Sequence, residues 1–364
     1  MTQVTCFIDA SQNLYALSKL HTGLCLLAAE GEIGLRFAAP PEGRRFCCAE
    51  GLAALSIQTD SGEERLAAFD VYDRADVFGR PLLERCDLYF KRSYRAAEIA
   101  RLPVALKEKI VAFGMNYACR APGKYVPAVA GPLLQKVRRA VAGGAAAVKD
   151  ALLQVLMIPR YRQFELEPSV ALRLEIVFQT RVWTQADCST EPIEPLNESR
   201  VALVRALRKH FPRHFRGGLI PTKLARERYP DALTVEPTRP AAYLNASRES
   251  LIGISTHGLH HSTPFKLPEY LAGSKCVVSE PLRNELPEAP EDGREILWFR
   301  GVDECLAKCE ELLRWPEKAR EMRQAAWKHY REHIAPAAHL RKCLGQVLGG
   351  ASLEPMVTAA RAGS

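Results

Sequence analysis

The residues of this 364-residue chain whose types and spacing could do chemistry gather between Leu251 and Leu282. The run reads L-I-G-I-S-T-H-G-L-H-H-S-T-P-F-K-L-P-E-Y-L-A-G-S-K-C-V-V-S-E-P-L. An apolar stretch ends at Ser255, and a loop carrying His257, His260 and His261 follows. Ser262-Thr263-Pro264 then reads as an N-cap and a first helical turn. The free N–H groups and positive dipole end of such a helix would receive a diphosphate. Lys266 and Glu269 are three residues apart and share a helix face. Lys266 could meet phosphate or pair with Glu269, and Glu269 could accept bonds from two ribose hydroxyls. The loop imidazoles could bond sugar hydroxyls or phosphate, a charged ring favouring phosphate and a neutral one able to act as a base. Each of these residues also has a plain reading, as a solvated helix side chain or an ordinary loop residue. The three histidines lack an H-x-x-x-H helix pattern with an acidic partner, so no metal is expected.

Those residues need a scaffold of strands and helices. Leu251–Ser255 reads as a strand, Lys266–Ala272 as a helix and Cys276–Ser279 as a strand. Upstream of them, Leu174–Phe178 and Phe215–Ile220 read as strands flanking an amphipathic helix, Glu198–His210. Downstream come the strand Leu297–Phe299 and the helices Val302–Leu313, Pro316–His333 and Pro336–Leu348. The first half repeats the alternation. It has strands at 4–10, Gly34–Phe37, Leu55–Thr59, Ala67–Val71, Leu88–Phe90 and Ile110–Phe113, and a helix at Leu14–Leu27 whose stripe is Leu17, Leu20, Leu24 and Leu27. Such alternation predicts an α/β fold with two Rossmann-like domains, parallel sheets and ligands at the C-terminal strand ends facing a cleft. The expected domains are 1–165, containing a helical segment at 129–158, and 166–348, followed by a disordered tail at 349–364.

Length suits two domains, and 47% hydrophobic with 25% charged residues suits a soluble globular protein. No apolar run is long enough to span a bilayer, and the start has no basic region leading into one, so a cytoplasmic location is expected. The eleven cysteines should be reduced and buried. Cys305 and Cys309 lie one helical turn apart, without a second pair at zinc spacing. The net charge of +8 is spread along the chain and forms no recognisable nucleic-acid module. Lys136, Arg138 and Arg139 make the start of the amphipathic stretch 132–156 basic. That stretch packs on its domain or rests on the inner face of an anionic membrane.

The run P-F-K-L-P-E-Y-L-A-G-S-K-C-V-V-S-E-P-L resembles the donor-site motif of GT-B glycosyltransferases, closest to the bacterial group of the CgeB or family-1/family-4 type. The later I-L-W-F-R-G-V-D-E-C-L-A-K-C-E-E-L-L-R-W-P-E-K-A-R-E-M is similar to that family's closing stretch. The resemblance covers roughly residues 170–345. It implies that Glu269 holds the donor ribose, that Thr263, Pro264, Phe265 and Lys266 form the turn facing the donor phosphates, and that Arg181 contacts the diphosphate. It also implies final helices that brace the two domains, a nucleotide-sugar donor, no cofactor, a metal-independent site and a role in bacterial polysaccharide biosynthesis. Many retaining members carry a second glutamate eight residues before the ribose glutamate. Here that place holds His261, so retention and inversion both stay open.

The acceptor side is less legible. Ser11 and Asn13 follow the first strand, and Asn116 and Tyr117 follow the strand near 110–113. Each could line the cleft, and each is also an ordinary turn residue. No spacing selects a catalytic base, with Asp73 and Asp76 equally placed. The acceptor would be a glycan, a lipid-linked group or a protein. Competing readings are a sugar-nucleotide epimerase or non-catalytic binder, and a basic protein that binds a membrane surface or nucleic acid.

Overall fold

The computed structural model describes residues 1–349, apart from 60, 124, 142–143, 146–147, 149–151, 153–154 and 189. From residue 350 on, the expected tail lies outside the described residues. The strands are β1 (Gln3–Phe7), β2 (Gly34–Ala38), β3 (Leu52–Gln58), β4 (Glu64–Asp70), β5 (Leu88–Lys91), β6 (Ile110–Ala112), β7 (Arg173–Thr180), β8 (Phe215–Leu219), β9 (Ser250–Ser255), β10 (Cys276–Ser279) and β11 (Ile296–Trp298). The helices used below are α1 (Ser18–Ala29), α2 (Arg80–Leu83), α3 (Ala96–Ile99), α4 (Val104–Lys107), α5 (Tyr125–Ala140), α6 (Glu194–His210), α7 (Lys223–Arg228), α8 (Pro240–Glu249), α9 (Lys266–Ala272), α10 (Val302–Arg314), α11 (Pro316–His329) and α12 (Pro336–Val347). They fall into two compact units, one of residues 1–160 with the chain from Ala335 on, the other Tyr161–Ile334.

The first unit holds a six-stranded sheet in the order β2-β1-β3-β4-β5-β6. It is mixed rather than wholly parallel, because β3 runs antiparallel to both β1 and β4. The reason is local. Only five residues, 59–63, join β3 to β4, whereas a parallel crossover needs a dozen or more. The Thr59 amide donates to the Glu63 carbonyl at 2.9 Å, and Gly62 takes φ +85°, which suits a residue without a Cβ. The short helices α2, α3 and α4 carry too few residues for a periodic pattern, and sequence reading passed over them. α5 starts at Tyr125 rather than Pro132, with Pro132 inside it. Its Lys136 Nζ donates to the Gln12 carbonyl at 3.0 Å, so this basic residue points into its own unit. Much of the stretch from 142 to 154 lies outside the described residues.

Helix α12, placed by sequence in the C-terminal domain, packs on α1 of the first unit instead. Leu340 and Leu344 join Leu17, Leu20, Leu24 and Leu27 in one apolar core, each buried leucine contributing about 1.5–3 kcal/mol. The helices approach so closely that a Cβ on Gly23 would lie 2.5 Å from the Pro336 carbonyl oxygen. Lys19 is buried there, donating to the Met115 carbonyl at 2.5 Å and to His339 Nδ1 at 2.8 Å. Burial pushes its pKa down to about 7. At the surface, Arg341 forks to Glu32 at 2.5 Å and Glu30 at 3.0 Å.

A second charged device closes the ends of β4 and β5. Asp70 and Lys91 are paired in register and form a 2.9 Å ion pair with both side chains fully buried. Lys91 also donates to the carbonyls of Arg74 and Val77, and the Tyr89 hydroxyl donates to Asp70 at 2.5 Å. These bonds offset the loss of hydration that a buried pair otherwise suffers.

The second unit holds five parallel strands in the order β11-β10-β9-β7-β8. Counted from its first strand, this is a doubly wound 2-1-3-4-5 sheet, with its topological switch point between β7 and β9. Its core joins Ile176 and Phe178 of β7, Ile252 and Ile254 of β9 and Val278 of β10 to Val204 and Leu207 of α6. α9 lies against β9, where a Cβ on Gly253 would meet the Tyr270 ring at 2.6 Å. Helix α9 and strand β10 have the expected bounds. α11 ends at His329, four residues early, and widens into a π-turn at Tyr330–Ile334. There the Tyr330 hydroxyl donates to Glu165 at 3.0 Å. All eleven cysteines are buried and unbridged. Among the described residues, no helix is long and apolar enough to cross a membrane.

Replacing Asp70 by alanine should leave the Lys91 ammonium buried without its partner and cost about 3–5 kcal/mol. Denaturant unfolding measures this, and a cost under about 1 kcal/mol would show that the pair is not holding β4 to β5. The double variant Asp70→Ala with Lys91→Met should recover most of the loss.

Candidate functional site

The loops after β7 and β9 leave the sheet on either side of the switch point, where open parallel sheets bind ligands. Helix α6 holds both. Arg200, buried within it, donates to the Arg181 carbonyl at 2.6 Å and to the His257 carbonyl at 2.5 Å. Burial lowers its pKa to about 10, while nearby Glu280 acts to raise it. One turn earlier, Asn197 accepts from the Trp183 amide at 2.9 Å and donates to the Trp183 carbonyl at 2.8 Å. Sequence reading named neither residue. Both fall on the apolar face of α6 with Val204 and Leu207, and a charge or an amide at that spacing was the available signal.

Lys266 reaches from the first turn of α9 to the end of β7, donating to the Gln179 carbonyl. Its ammonium also lies over the Tyr243 ring, 4.7 Å from the centroid. Glu269 sits one turn on, half-buried. Burial pushes its carboxyl up to about 7, against the pull of Lys266. Burial likewise pushes Lys266 down to about 8, with Glu269 raising it and Arg200 and Arg181 lowering it. Arg181 is exposed, its guanidinium 5.2 Å from the Trp183 ring centroid. Three cations therefore converge at the carboxyl ends of β7 and β9 beside one carboxylate. That arrangement can meet an anion and, next to it, a pair of hydroxyls.

The other sequence-named residues take different places. Thr263 does not cap α9. The helix starts after Phe265 without a side-chain cap, and the buried Thr263 hydroxyl accepts from Asn284 at 3.4 Å. His257 is fastened to β10's exit, its Nδ1 3.0 Å from Glu280 and its Nε2 2.6 Å from the Pro281 carbonyl. Burial alone would raise the Glu280 carboxyl, but the side chain and backbone N–H of His257 outweigh it and hold it low. His260 and His261 adopt φ of 57° and 54° and turn toward Glu191. In the first unit, the Ser11 amide donates to Asp9, and Asn13 accepts from the Ala16 amide, both as turn residues. Asn116 and Tyr117 are buried, Asn116 donating to the Ala16 carbonyl at 2.8 Å and Tyr117 lying beneath Lys19.

The half-buried Glu269 carboxyl gives a pH signature. Glu269 has a folded pKa above its unfolded value, so the folded state favours its protonated form. Relative to Glu269→Gln, the wild type should lose stability as pH rises from about 4.5 to about 7, by on the order of 1–3 kcal/mol. Thermal unfolding of both proteins at pH 5 and pH 7.5 checks this, and an unchanged difference would mean that Glu269 is well hydrated.

Residues 200–345 match the glycosyl transferase-like family. No curated protein matches the chain. Among solved structures, it is similar to the UDP-GlcNAc 2-epimerase of Neisseria meningitidis bound to UDP-GlcNAc, at 15% identity and TM-score 0.37, over 74% of this chain and 64% of that one. It is also similar to a glycosyltransferase of Rickettsia africae, at 13% identity and TM-score 0.39, over 72% and 64%. The third is the Anabaena HepE protein in complex with UDP and glucose, at 11% identity and TM-score 0.35, over 74% and 82%. The chain thus spans less than two thirds of the Neisseria and Rickettsia proteins. Residues 200–345 of this α/β chain, which lie in its second unit and α12, are thus similar to the glycosyl transferase-like family.

Proposed function

We propose that this protein transfers a sugar from a nucleotide-sugar donor to a hydroxyl of a glycan, lipid-linked or protein acceptor. The observation that carries the reading is the placing of Lys266 and Glu269 one turn apart on α9, within the matched segment, at the switch point of the sheet where Arg181 leaves β7. In the transfer, the bond between the anomeric carbon and the diphosphate oxygen breaks, and its electron pair leaves with the diphosphate. Lys266 and Arg181 supply the positive charge that this leaving group needs. The acceptor oxygen bonds the anomeric carbon and gives up its proton to a base that we leave unassigned. Glu269 accepts from the ribose hydroxyls and sets the register of the donor, so that the anomeric carbon is held in line with the acceptor oxygen. The half-buried position of the pair strengthens both interactions over what water would allow. No cofactor is part of this reading. Eleven unbridged cysteines support a reducing, cytoplasmic setting.

A thermal-shift screen against nucleoside diphosphates and nucleotide sugars tests the proposal. One nucleotide, at a hundred times its dissociation constant, should stabilise the protein by about 2.7 kcal/mol. Glu269→Ala should abolish that response, and Arg181→Ala should weaken it. Silence toward every nucleotide, with all proteins folded, contradicts the donor site. Incubation with the responding nucleotide sugar should release nucleoside diphosphate only with acceptor present. An epimerised sugar nucleotide as the product would replace the transferase reading with an isomerase one.

A further inference from the structure

The β7–α6 loop and the β9–α9 loop meet a second time, away from Arg200. Cys188 of the first loop is buried, and its Sγ lies 3.8 Å from His260 Nδ1 and 3.9 Å from Nε2 of the second. Glu191 of the first loop places Oε1 3.8 Å from the same Nδ1, and Oε2 3.9 Å from His261 Nε2. One ligand atom from each of Cys188, Glu191 and His260 falls within 4.8 Å of the others. A carboxylate and an imidazole 3.8–3.9 Å apart are too far for a hydrogen bond. They stand close to the separation of two ligands on one cation. Bonds of about 2.3 Å to sulfur and about 2.0–2.1 Å to nitrogen or oxygen, at tetrahedral angles, put ligand atoms roughly 3.4–3.6 Å apart. The two separations from His260 exceed this by a few tenths of an ångström, and a turn of the imidazole, whose two nitrogens are nearly equidistant from Sγ, would bring the triad onto one ion.

The backbone supports the same reading. His260 and His261 are successive non-glycine residues in the left-handed region, which L side chains adopt only when the surroundings demand it. The His260 amide donates to Glu191 Oε1 at 2.6 Å, which holds the carboxylate against the loop. Thr190 Oγ1 lies 3.4 Å from His260 Nδ1 and 3.7 Å from Cys188 Sγ, a neighbour able to bond the coordinated sulfur. Such outer contacts orient ligands in metal sites.

We infer that Cys188, Glu191 and His260, with His261 beside them, form a site for a divalent transition-metal ion of the zinc class. The donor set of one thiolate, one imidazole and one carboxylate selects zinc or cobalt over calcium or magnesium. Binding displaces the thiol proton of Cys188 to solvent, so affinity rises with pH. The ion fastens the loop that carries Arg181 to the loop that leads into α9, and it takes no part in the proposed phosphate contacts. This goes beyond the donor reading and does not depend on it. It also departs from the expectation of no metal, which weighed only histidines and cysteines that are near one another in sequence.

The test is titration of the chelator-stripped, full-length protein with cobalt(II) chloride, followed by displacement with zinc. Saturation at one equivalent, with a thiolate-to-cobalt charge-transfer band, is the expected result. Cys188→Ser should lose the band. Glu191→Gln, at a partly exposed position, should bind at least about tenfold more weakly. His210→Ala, an exposed histidine outside the cluster, should bind as wild type. Absence of saturable one-equivalent binding overturns the site, as does an undiminished band in Cys188→Ser. If that variant fails to fold, the Glu191→Gln affinity decides: wild-type binding there overturns the assignment.

Discussion

Arg200 lies inside α6 and donates to the carbonyl oxygens of Arg181 and His257, the exits of β7 and β9. Those two strands are paired neighbours that bracket the switch point, so their chains run on to opposite sides of the sheet and their exit loops diverge unless something ties them. A planar guanidinium can bond two carbonyls at once, which an ammonium on one stem does less well. The geometry of everything nearby follows from this anchor. Arg181 leaves the loop that Arg200 holds, and His257 turns back to Glu280 from the other. Asn197, one turn along the same helix, fixes the next residues of the first loop through both backbone groups of Trp183.

The second consequence is electrostatic. With Arg200 buried and Arg181 close by, the end of α9 faces two positive charges before any ligand arrives, and Lys266 adds a third. Glu269 shares that environment but draws most of its shift from burial. Both groups thus carry a hydration penalty that a bound anion with adjacent hydroxyls would relieve. The core of the second unit holds this site in place. The Tyr270 ring stacked over Gly253 keeps α9 on β9, and the hydroxyl of Tyr270 meets that of Tyr243 at 2.8 Å. The first unit shows similar chemistry in a structural role, where the buried Lys19 has two acceptors and the buried Lys91 three.

What the sequence shows well is whatever a local pattern encodes. α9 and β10 are bounded by a loop and by a tight turn, and both were read to the residue. The direction of β3 was misread although the signal was present, since five residues cannot make a parallel crossover. Thr263 has an N-cap's neighbours, but Phe265 takes the capping position and the hydroxyl turns to Asn284. α12 has no local feature that assigns it to α1, because Gly23 and His339 are far apart in the chain. For the same reason the approach of Cys188 to His260, 72 residues on, lies beyond any spacing rule. Arg200 and Asn197 stand between these cases: polar residues on an apolar helix face announce a buried bond without naming its partner.

The most direct test of the donor site is a crystal structure of the protein with its preferred nucleoside diphosphate. The account predicts both ribose hydroxyls on the Glu269 carboxylate and the diphosphate between Lys266 and Arg181, beyond the carboxyl ends of β7 and β9. A nucleotide bound elsewhere, or one whose ribose turns away from Glu269, would contradict it.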